Sequence, residues 1–450
     1  MRKYDSYKPT KIEFLDEIPE HWEEKRMRFL GYLYGGLSGK SATDFNQLSN
    51  EDNKYFIPFT NIANNFRIDP ESLQTVVISQ NENQNKVQKG DLFFLMSSEN
   101  YDDVGKSAVL LDDLEETYLN SFCKGFRITK EKIVPEFLNY QLHSKQLRHN
   151  LLTGANGFTR INLKIDKVID LLTALPSPEE QTAIAKYLDR KTAEIDDLIA
   201  DKNRLLELYE EEKTAIINQA VTKGINPDVP MKDSGIEWLR EIPEHWEEKR
   251  LKLLVSKIGS GVTPSGGSSV YLTSGIPLLR SQNIHFDGLK LDDVAYISEE
   301  IDEDMRNSRI REGDVLLNIT GASIGRCFYV PTDFGRGNVN QHVSIIRPVP
   351  KKADTIYLYF LMRSEIGQLQ IRLQQTGANR EGLNFEQLKN FTLPIPLNIE
   401  EQKSIALYIE TECALIDAKK AKTEKLVKLL TEYRTSLISE VVTGKIKVTT

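Results

Sequence analysis

The sequence predicts a mixed α/β protein in which two similar α/β domains are separated by two long α-helices that pair as a coiled coil. Three observations carry this: one segment that occurs twice, a change of texture at the same place in each copy, and an apolar heptad in each long stretch. EIPEHWEEKR occupies 17–26 and again 241–250, letter for letter, 224 residues on. Upstream, Ile12-Glu13-Phe14-Leu15 faces Ile236-Glu237-Trp238-Leu239 at the same offset. TGAN recurs at 153–156 and 376–379, Glu-Glu-Gln at 179–181 and 400–402, and VTKGI at 221–225 answers VTGKI at 442–446. Between these anchors the likeness thins but keeps its order: Gly90-Asp91 with Gly313-Asp314, Gly105-Lys106 with Gly325-Arg326, Asn120 with Asn340, Arg127 with Arg347. The chain is a tandem duplication whose frame is fixed and whose middle varies.

Residues 27–175 and 251–395 mix short apolar runs (FIPF, LFFLM, IPLL, DVLLNI, VSII) with Gly, Asn, Ser and Pro breaks, a texture of strands and loops. One helical stretch is expected late in each, at 135–150 and 355–375. Pro176 and Pro178, or Pro394 and Pro396, then end the globular part. Glu179-Glu180 and Glu400-Glu401 follow, acidic residues suited to a helix N-terminus. Neither proline nor glycine interrupts the chain from there to Val221 and Val442. The expected segments are 1–178, a first helix at 179–222, 223–399, and a second helix with its tail at 400–450.

Apolar residues recur by sevens in both helices. The first gives Ile184, Leu188, Ile195, Leu198, Leu205, Tyr209 and Ile216; the second gives Ile405, Ile409, Ile416, Leu426, Leu430, Tyr433 and Leu437. Two stripes that cannot bury themselves should bury against each other. The alternative is two helices packed each on its own domain. Lys191, Lys202, Glu412, Lys419 and Thr423 interrupt the seams, which leaves part of each stripe for another protein.

Composition narrows the function classes. At 450 residues, 40% hydrophobic and 28% charged, the chain is neither disordered nor membrane-embedded, and long enough for two or more domains. No apolar run approaches the ~18 residues of a membrane span, and MRKYDSYKPT is followed by no apolar leader. Cys123, Cys327 and Cys413 lie too far apart for a CxxC zinc site, and a cytoplasmic location fits them.

Catalytic signatures are not found. Gly35-Gly36-Leu37-Ser38-Gly39-Lys40-Ser41 contains GKS, but its leading glycine is one residue too close for a phosphate loop. No D/N-P-P-Y/F, H-E-x-x-H or G-x-S-x-G occurs. His21 and His245 sit in the duplicated turn beside Trp22 and Trp246, which suggests packing rather than catalysis; His143, His149, His285 and His342 have no metal-ligand spacing.

Polar clusters in the variable regions are a different matter. The first holds Lys40, Thr60-Asn61, Ser97-Ser98, Asn100, Lys106, and Thr153 to Arg160 with Asn156; the second holds Thr263, Ser265, Arg280, Gln282-Asn283, Thr320, Ser323, Arg326, Asn340-Gln341 and Arg380. Asn, Gln and Arg can make paired contacts with base edges, while Ser, Thr and Lys suit phosphates. Solvated loops are the plain alternative for any one cluster. Their recurrence at matched places favours nucleic acid.

The linker KGINPDVPMKDSGIEWLREIPEHWEEKRLK at 223–252, the LPIP…EEQ entry into a helix at 393–402, and the VTGKI ending closely resemble the specificity subunit of type I restriction-modification systems. The likeness covers the whole chain. It implies that each variable region is a target-recognition domain reading one half of a bipartite, asymmetric site on double-stranded DNA. It further implies that the two helices pair antiparallel and set the unread spacer. Two methylation subunits carrying S-adenosylmethionine and two restriction subunits using ATP and Mg would be the partners, with no cofactor in this chain. A coiled-coil scaffold that binds proteins, or a stand-alone DNA-binding regulator, are the competing classes.

The net charge of −8 divides unevenly: −3 over 1–178, −5 over 179–221, −1 over 222–399, −1 over 400–440 and +2 in the tail. Acidic runs at 112–116 and 299–304 are expected to mask nearby cations such as Arg306, Arg309 and Arg311. The subunit alone is therefore expected to bind DNA weakly.

Overall fold

The computed structural model describes the chain except residues 1, 48–49, 158–159, 376–381 and 449–450, and Asn156 by its backbone only. It divides into two compact units, Met1–Asn203 with Lys425–Thr450, and Arg204–Glu424. The division cuts each long helix near its middle rather than at its end.

Each unit is built on the same four-stranded antiparallel sheet. In the first the order is Gly31–Gly35, Cys123–Ile128, Leu92–Leu95, Ser107–Val109; in the second it is Val255–Ser260, Val343–Pro348, Val315–Asn318, Cys327–Tyr329. Leu92–Leu95 and Val315–Asn318 are buried throughout, which explains why they read as unbroken apolar runs instead of alternating. A three-stranded sheet lies beyond each, centred on Asn53–Ile57 or Ile276–Leu279, with one antiparallel and one parallel neighbour.

The sparse matches in the variable middle encode a buried ion pair. Arg127 donates from Nε and Nη2 to the two carboxylate oxygens of Asp91 at 3.0 and 2.7 Å. Arg347 does the same to Asp314 at 2.7 and 2.8 Å. Both carboxylates are buried, and Asp91 raises the pKa of Arg127 above its ordinary value. Each pair ties the end of one sheet strand to the turn before another.

The better-preserved flanks form the other shared device. Glu17–Pro19 pairs with Tyr7–Pro9, and Glu241–Pro243 with Met231–Asp233, as matching hairpins. Trp22 and Trp246 are fully buried beneath them, edge-on to Phe137 and Tyr357. Glu180 accepts from the Tyr4 hydroxyl (2.7 Å) and meets His21 Nε2 (2.9 Å); Glu401 meets His245 Nε2 (3.0 Å) and accepts from Trp246 Nε1 (2.9 Å). Gln181 and Gln402 are buried and hold backbone on both sides, Gln181 at Val134 and Pro176, Gln402 at Asp354 and Pro396. The duplicated His-Trp turn and the Glu-Glu-Gln entry thus fasten the hairpin to the first turn of a long helix.

The far end of the other long helix completes each of these bases. In the first unit Gly444 lies on Pro19, where a Cβ would stand 2.3 Å from Pro19 Cδ; in the second, Gly224 lies on Trp246. Both have positive φ, +76° and +75°, so glycine ends the helix at the one place where it must turn closely over the hairpin.

The long helices run Pro178–Lys223 and Ile399–Val442, the first about 69 Å long at ~1.5 Å per residue. Pro178 occupies the first turn, where its missing N–H is no loss. Within each unit the two helices lie antiparallel. Arg434 meets Asp196 (2.8 Å) in the first; Lys213 meets Asp417 (2.7 Å) and Lys420 meets Glu210 in the second. Buried or half-buried residues recur through the first helix at 181, 185, 188, 192, 195, 199, 202, 206, 209, 213, 216 and 220, and at the same positions 221 residues later.

This corrects the expected seam at several places. Ile184, Leu188, Ile195, Ile405, Ile409, Ile416 and Leu437 are buried, and Leu205, Tyr209, Ile216 and Leu430 half-buried. Leu198, Leu426 and Tyr433 instead face outward, 46%, 41% and 47% exposed. Thr423 and Lys202 are seam positions rather than interruptions. An antiparallel partner offers a carboxylate to Lys213, Lys420 and Arg434, so long cationic side chains lay their stems across the seam where an apolar count would not place them.

The expected single helices at 135–150 and 355–375 are each two: Pro135–Leu142 with Lys145–Leu152, and Thr355–Arg363 with Glu365–Gln374. Ser144 and Ser364 break them with extended backbone, each hydroxyl donating to a carbonyl three residues back.

Replacing Asp91 or Asp314 by Ala leaves a half-buried guanidinium without its carboxylate and is expected to destabilise its unit by about 2–3 kcal/mol in urea denaturation. Asp91→Leu combined with Arg127→Met should recover much of the loss; no recovery would show that the pair does more than neutralise itself.

Candidate nucleic-acid interface

One tip of each unit is made by the same three backbone pieces. The strand Leu92–Leu95 or Val315–Asn318 runs on to Ser97 or Thr320. There the Leu163 amide donates to the Met96 carbonyl, and the Leu383 amide to the Ile319 carbonyl, both at 2.8 Å. Ser97 and Thr320 therefore occupy the same place. Beside them is a tight turn opened by Asn120 or Asn340. Asn120 Oδ1 accepts from the Phe122 amide (3.0 Å) and Asn340 Oδ1 from the His342 amide (3.1 Å). The amides of Asn120 and Asn340 each donate to the edge of the three-stranded sheet, at Ile57 and Leu279, both at 3.1 Å. Phe122 and His342 are thus equivalent positions carrying different chemistry.

In the first unit, Phe122 is 46% exposed and the Arg160 guanidinium stacks on it, its carbon 4.3 Å from the ring centre. Arg160 Nε donates to Ser97 Oγ at 2.9 Å. In the second unit His342 Nδ1 lies 2.6 Å from the Thr320 hydroxyl, and Nε2 lies 3.0 Å from Gln341 Nε2. The Thr263 hydroxyl donates to Gln341 Oε1. Four polar side chains from three segments form one hydrogen-bonded row. Arginine over an aromatic ring and an amide in a fixed row are both groups that read base edges.

The other sequence candidates fall into distinct places. Asn61 and Asn283 are corrected to frame residues: both are buried, Asn61 bonded to the backbone of Asp69 and Asn283 to Arg280 and Lys290. Lys40 is held by Glu82, whose carboxyl is drawn down to about 2 chiefly by that contact, so the GKS loop presents no free cation. Lys106 is bonded to Asp103 and the Ala63 carbonyl, Arg280 to the Asp293 carbonyl, and Gln282 to Asp293 Oδ2. Asn100 caps its own turn at Asp102, and Ser323 accepts from Asn318. Thr60 and Ser265 are exposed; Ser98 and Arg326 are half-exposed; Asn156 lies in the short strand Ala155–Asn156. Phe158, Thr159, the TGAN copy at 376–379 and Arg380 lie outside the described residues.

The acidic runs mask cations as expected at some positions: Glu116 holds Lys54 and Lys86, and Asp302 with Glu303 holds Arg309. Among the described residues no group of three or more His, Cys, Asp or Glu could hold a metal. His143 bonds the Ser107 carbonyl, His149 packs edge-on to Phe14, and His285 bonds the Gln282 carbonyl. No helix among the described residues is long and apolar enough to cross a membrane. Sequence reasoning missed Phe122, and weighed His342 only as a metal ligand, a role its spacing excluded. The pairing of Asn120 with Asn340 was the available signal for both.

The family model of the type I restriction modification DNA specificity domain matches twice, at residues 19–208 and 243–428. The chain belongs to the type I restriction-modification DNA specificity family. Both matches run from the hairpin through the sheet and the tip into a long helix. Among members of the specificity family, the type I restriction enzyme MjaVIII specificity subunit of Methanocaldococcus jannaschii is 25% identical over 438 residues, 96% of this chain and 94% of that one. The EcoBI specificity subunit of Escherichia coli is 27% identical over 284 residues, 62% of this chain and 59% of that one. The fold is shared with the HsdS subunit from Thermoanaerobacter tengcongensis, at a TM-score of 0.57 and 16% identity over 95% of this chain and 98% of that one. A chain solved in work on complex assembly and conformational transition of the type I R-M system is similar at a TM-score of 0.74 and 16% identity, covering 95% of this chain and 99% of that one.

For this member of the specificity family, Lys40→Met and Lys106→Met are expected to leave the affinity for cognate DNA within about twofold. The slope of log affinity against log salt should also hold, since each lost phosphate contact would lower it by ~0.9. A drop of a full contact for either variant would restore that lysine to the interface.

Proposed function

We propose that the chain acts as the DNA sequence-specificity subunit of a type I restriction-modification complex, residues 1–178 and 223–399 each reading one half of a bipartite site. The observation that carries this is the tip built twice on one frame with different side chains: Phe122 and Arg160 in one unit, His342 and Gln341 in the other. A shared frame lets both readers approach the duplex alike, and the differing side chains let the half-sites differ. The long helices convert protein length into the unread spacer.

Methylation subunits dock on the apolar outer faces of these helices. Leu407 and Leu415 are 65% and 54% exposed in the second unit, and Leu429 and Tyr433 are 49% and 47% exposed in the first. Chemistry then resides in the partners: two methylation subunits with S-adenosylmethionine and two restriction subunits with ATP and Mg, in the cytoplasm. The masked cations make partner subunits the main source of phosphate contacts, so the isolated chain binds DNA weakly.

Inserting one heptad near Asp201 and a matching one near Leu429 lengthens the pair by ~10 Å, which corresponds to about 3 base pairs. Methylome sequencing of cells carrying the complete system should then show a longer spacer between unchanged half-sites, or loss of modification. Changed half-sites around an unchanged spacer would refute this role for the helices.

A further inference from the structure

The two tips differ in a way that specifies which base each selects. Gln341 is exposed, and both ends of its amide are already fixed from one side. Oε1 accepts from Thr263, while Nε2 donates to His342 Nε2, whose other nitrogen, Nδ1, donates to Thr320. Whichever way the amide is turned, each end has one partner in the row, so the oxygen keeps a lone pair and the nitrogen keeps a hydrogen. A donor and an acceptor side by side match the N7 and N6 positions of adenine in the major groove. Because the side chain is already held, little rotamer freedom remains to be lost on binding.

Arg160 is fixed differently. Its Nε is bonded to Ser97 and its plane lies on Phe122, and among the described residues Nη1 and Nη2 have no partner. Two parallel N–H donors on a held plane match O6 and N7 of guanine, and have no acceptor to offer the adenine amino group. Ser97 and Thr320, at the same place in the two units, thus hold readers of different sign: donor–donor in one, donor–acceptor in the other.

We propose that Arg160 selects a guanine in one half-site and Gln341 selects an adenine in the other. This rests on the chain being the DNA-reading subunit. The test uses the full chain reconstituted with its methylation partner, on duplexes carrying the site found by methylome sequencing. Each guanine is replaced in turn by 7-deazaguanine, and each adenine by 7-deazaadenine.

The wild-type complex should lose about 5- to 150-fold in affinity at one guanine of one half-site and at one adenine of the other. Arg160→Ala should become insensitive at that guanine alone, and Gln341→Ala at that adenine alone. Gln341→Glu, which keeps the acceptor and loses the donor, should also be insensitive to loss of N7. Urea midpoints equal to wild type confirm that each variant is folded. Retention of every sensitivity by the variants overturns the proposal, as does loss of all binding, because one contact accounts for no more than about 150-fold. A wild-type system that modifies no bipartite sequence would instead refute the specificity-subunit reading itself.

Discussion

Neither long helix can hide its own edge, and most of the structure follows from that constraint. The end turns of each long helix bury Ile184, Leu188, Ile217, Val221, Ile405, Ile409, Leu437 and Val441 in the globular cores, and the stretches between are left to cover each other. The seam is not purely apolar. Lys213, Lys420 and Arg434 sit half-buried in it, each against a carboxylate on the opposing helix. Such pairs add little stability individually, but they favour the antiparallel register, because a slipped helix would leave a half-buried cation facing apolar residues. Within each unit the helices are thereby held in one register, together with the hairpin base packed on them.

The duplicated frame and the divergent tips obey different physical demands. Asp91 with Arg127, Asp314 with Arg347, and the glutamines that open the long helices satisfy buried groups that one-sided change would leave unpaired. The turns at the tips are fixed to that frame by main-chain bonds and by the side chains of Asn120 and Asn340 that open them. A turn fixed by an asparagine and a main-chain ladder leaves the following side chain unconstrained. Phenylalanine and imidazole therefore stand on one scaffold without disturbing it.

That division also explains what was legible in the sequence. The flanks were readable because the buried Trp22, the His21–Glu180 contact and Gln181 belong to one base that both repeats build, so their identity survives in both. Even the thin matches Gly90-Asp91 and Arg127 proved to mark a single buried interaction. The seam register was only partly legible: Leu198, Leu426 and Tyr433 look like core, while Thr192, Lys202 and Thr423 occupy it. Apolar counting fails where a partner helix supplies the neutralising charge. The tips were least legible, since Asn61 and Asn283 resemble base readers yet are buried braces. Phe122 and His342 share no chemistry, and only their backbone position relates them.

The way the helix ends cross-cover the hairpins has a consequence for how the chain is made. The second unit, Arg204–Glu424, is one continuous stretch, and Gly224 reaches Trp246 across residues 225–245, which hold the hairpin itself. The first unit is not continuous: the lid over Pro19 and Trp22 is Gly444, near the end of the chain. On the ribosome the N-terminal unit is therefore begun first, and its tryptophan pocket stays open until Gly444 has emerged. The unit that begins later can therefore be completed earlier.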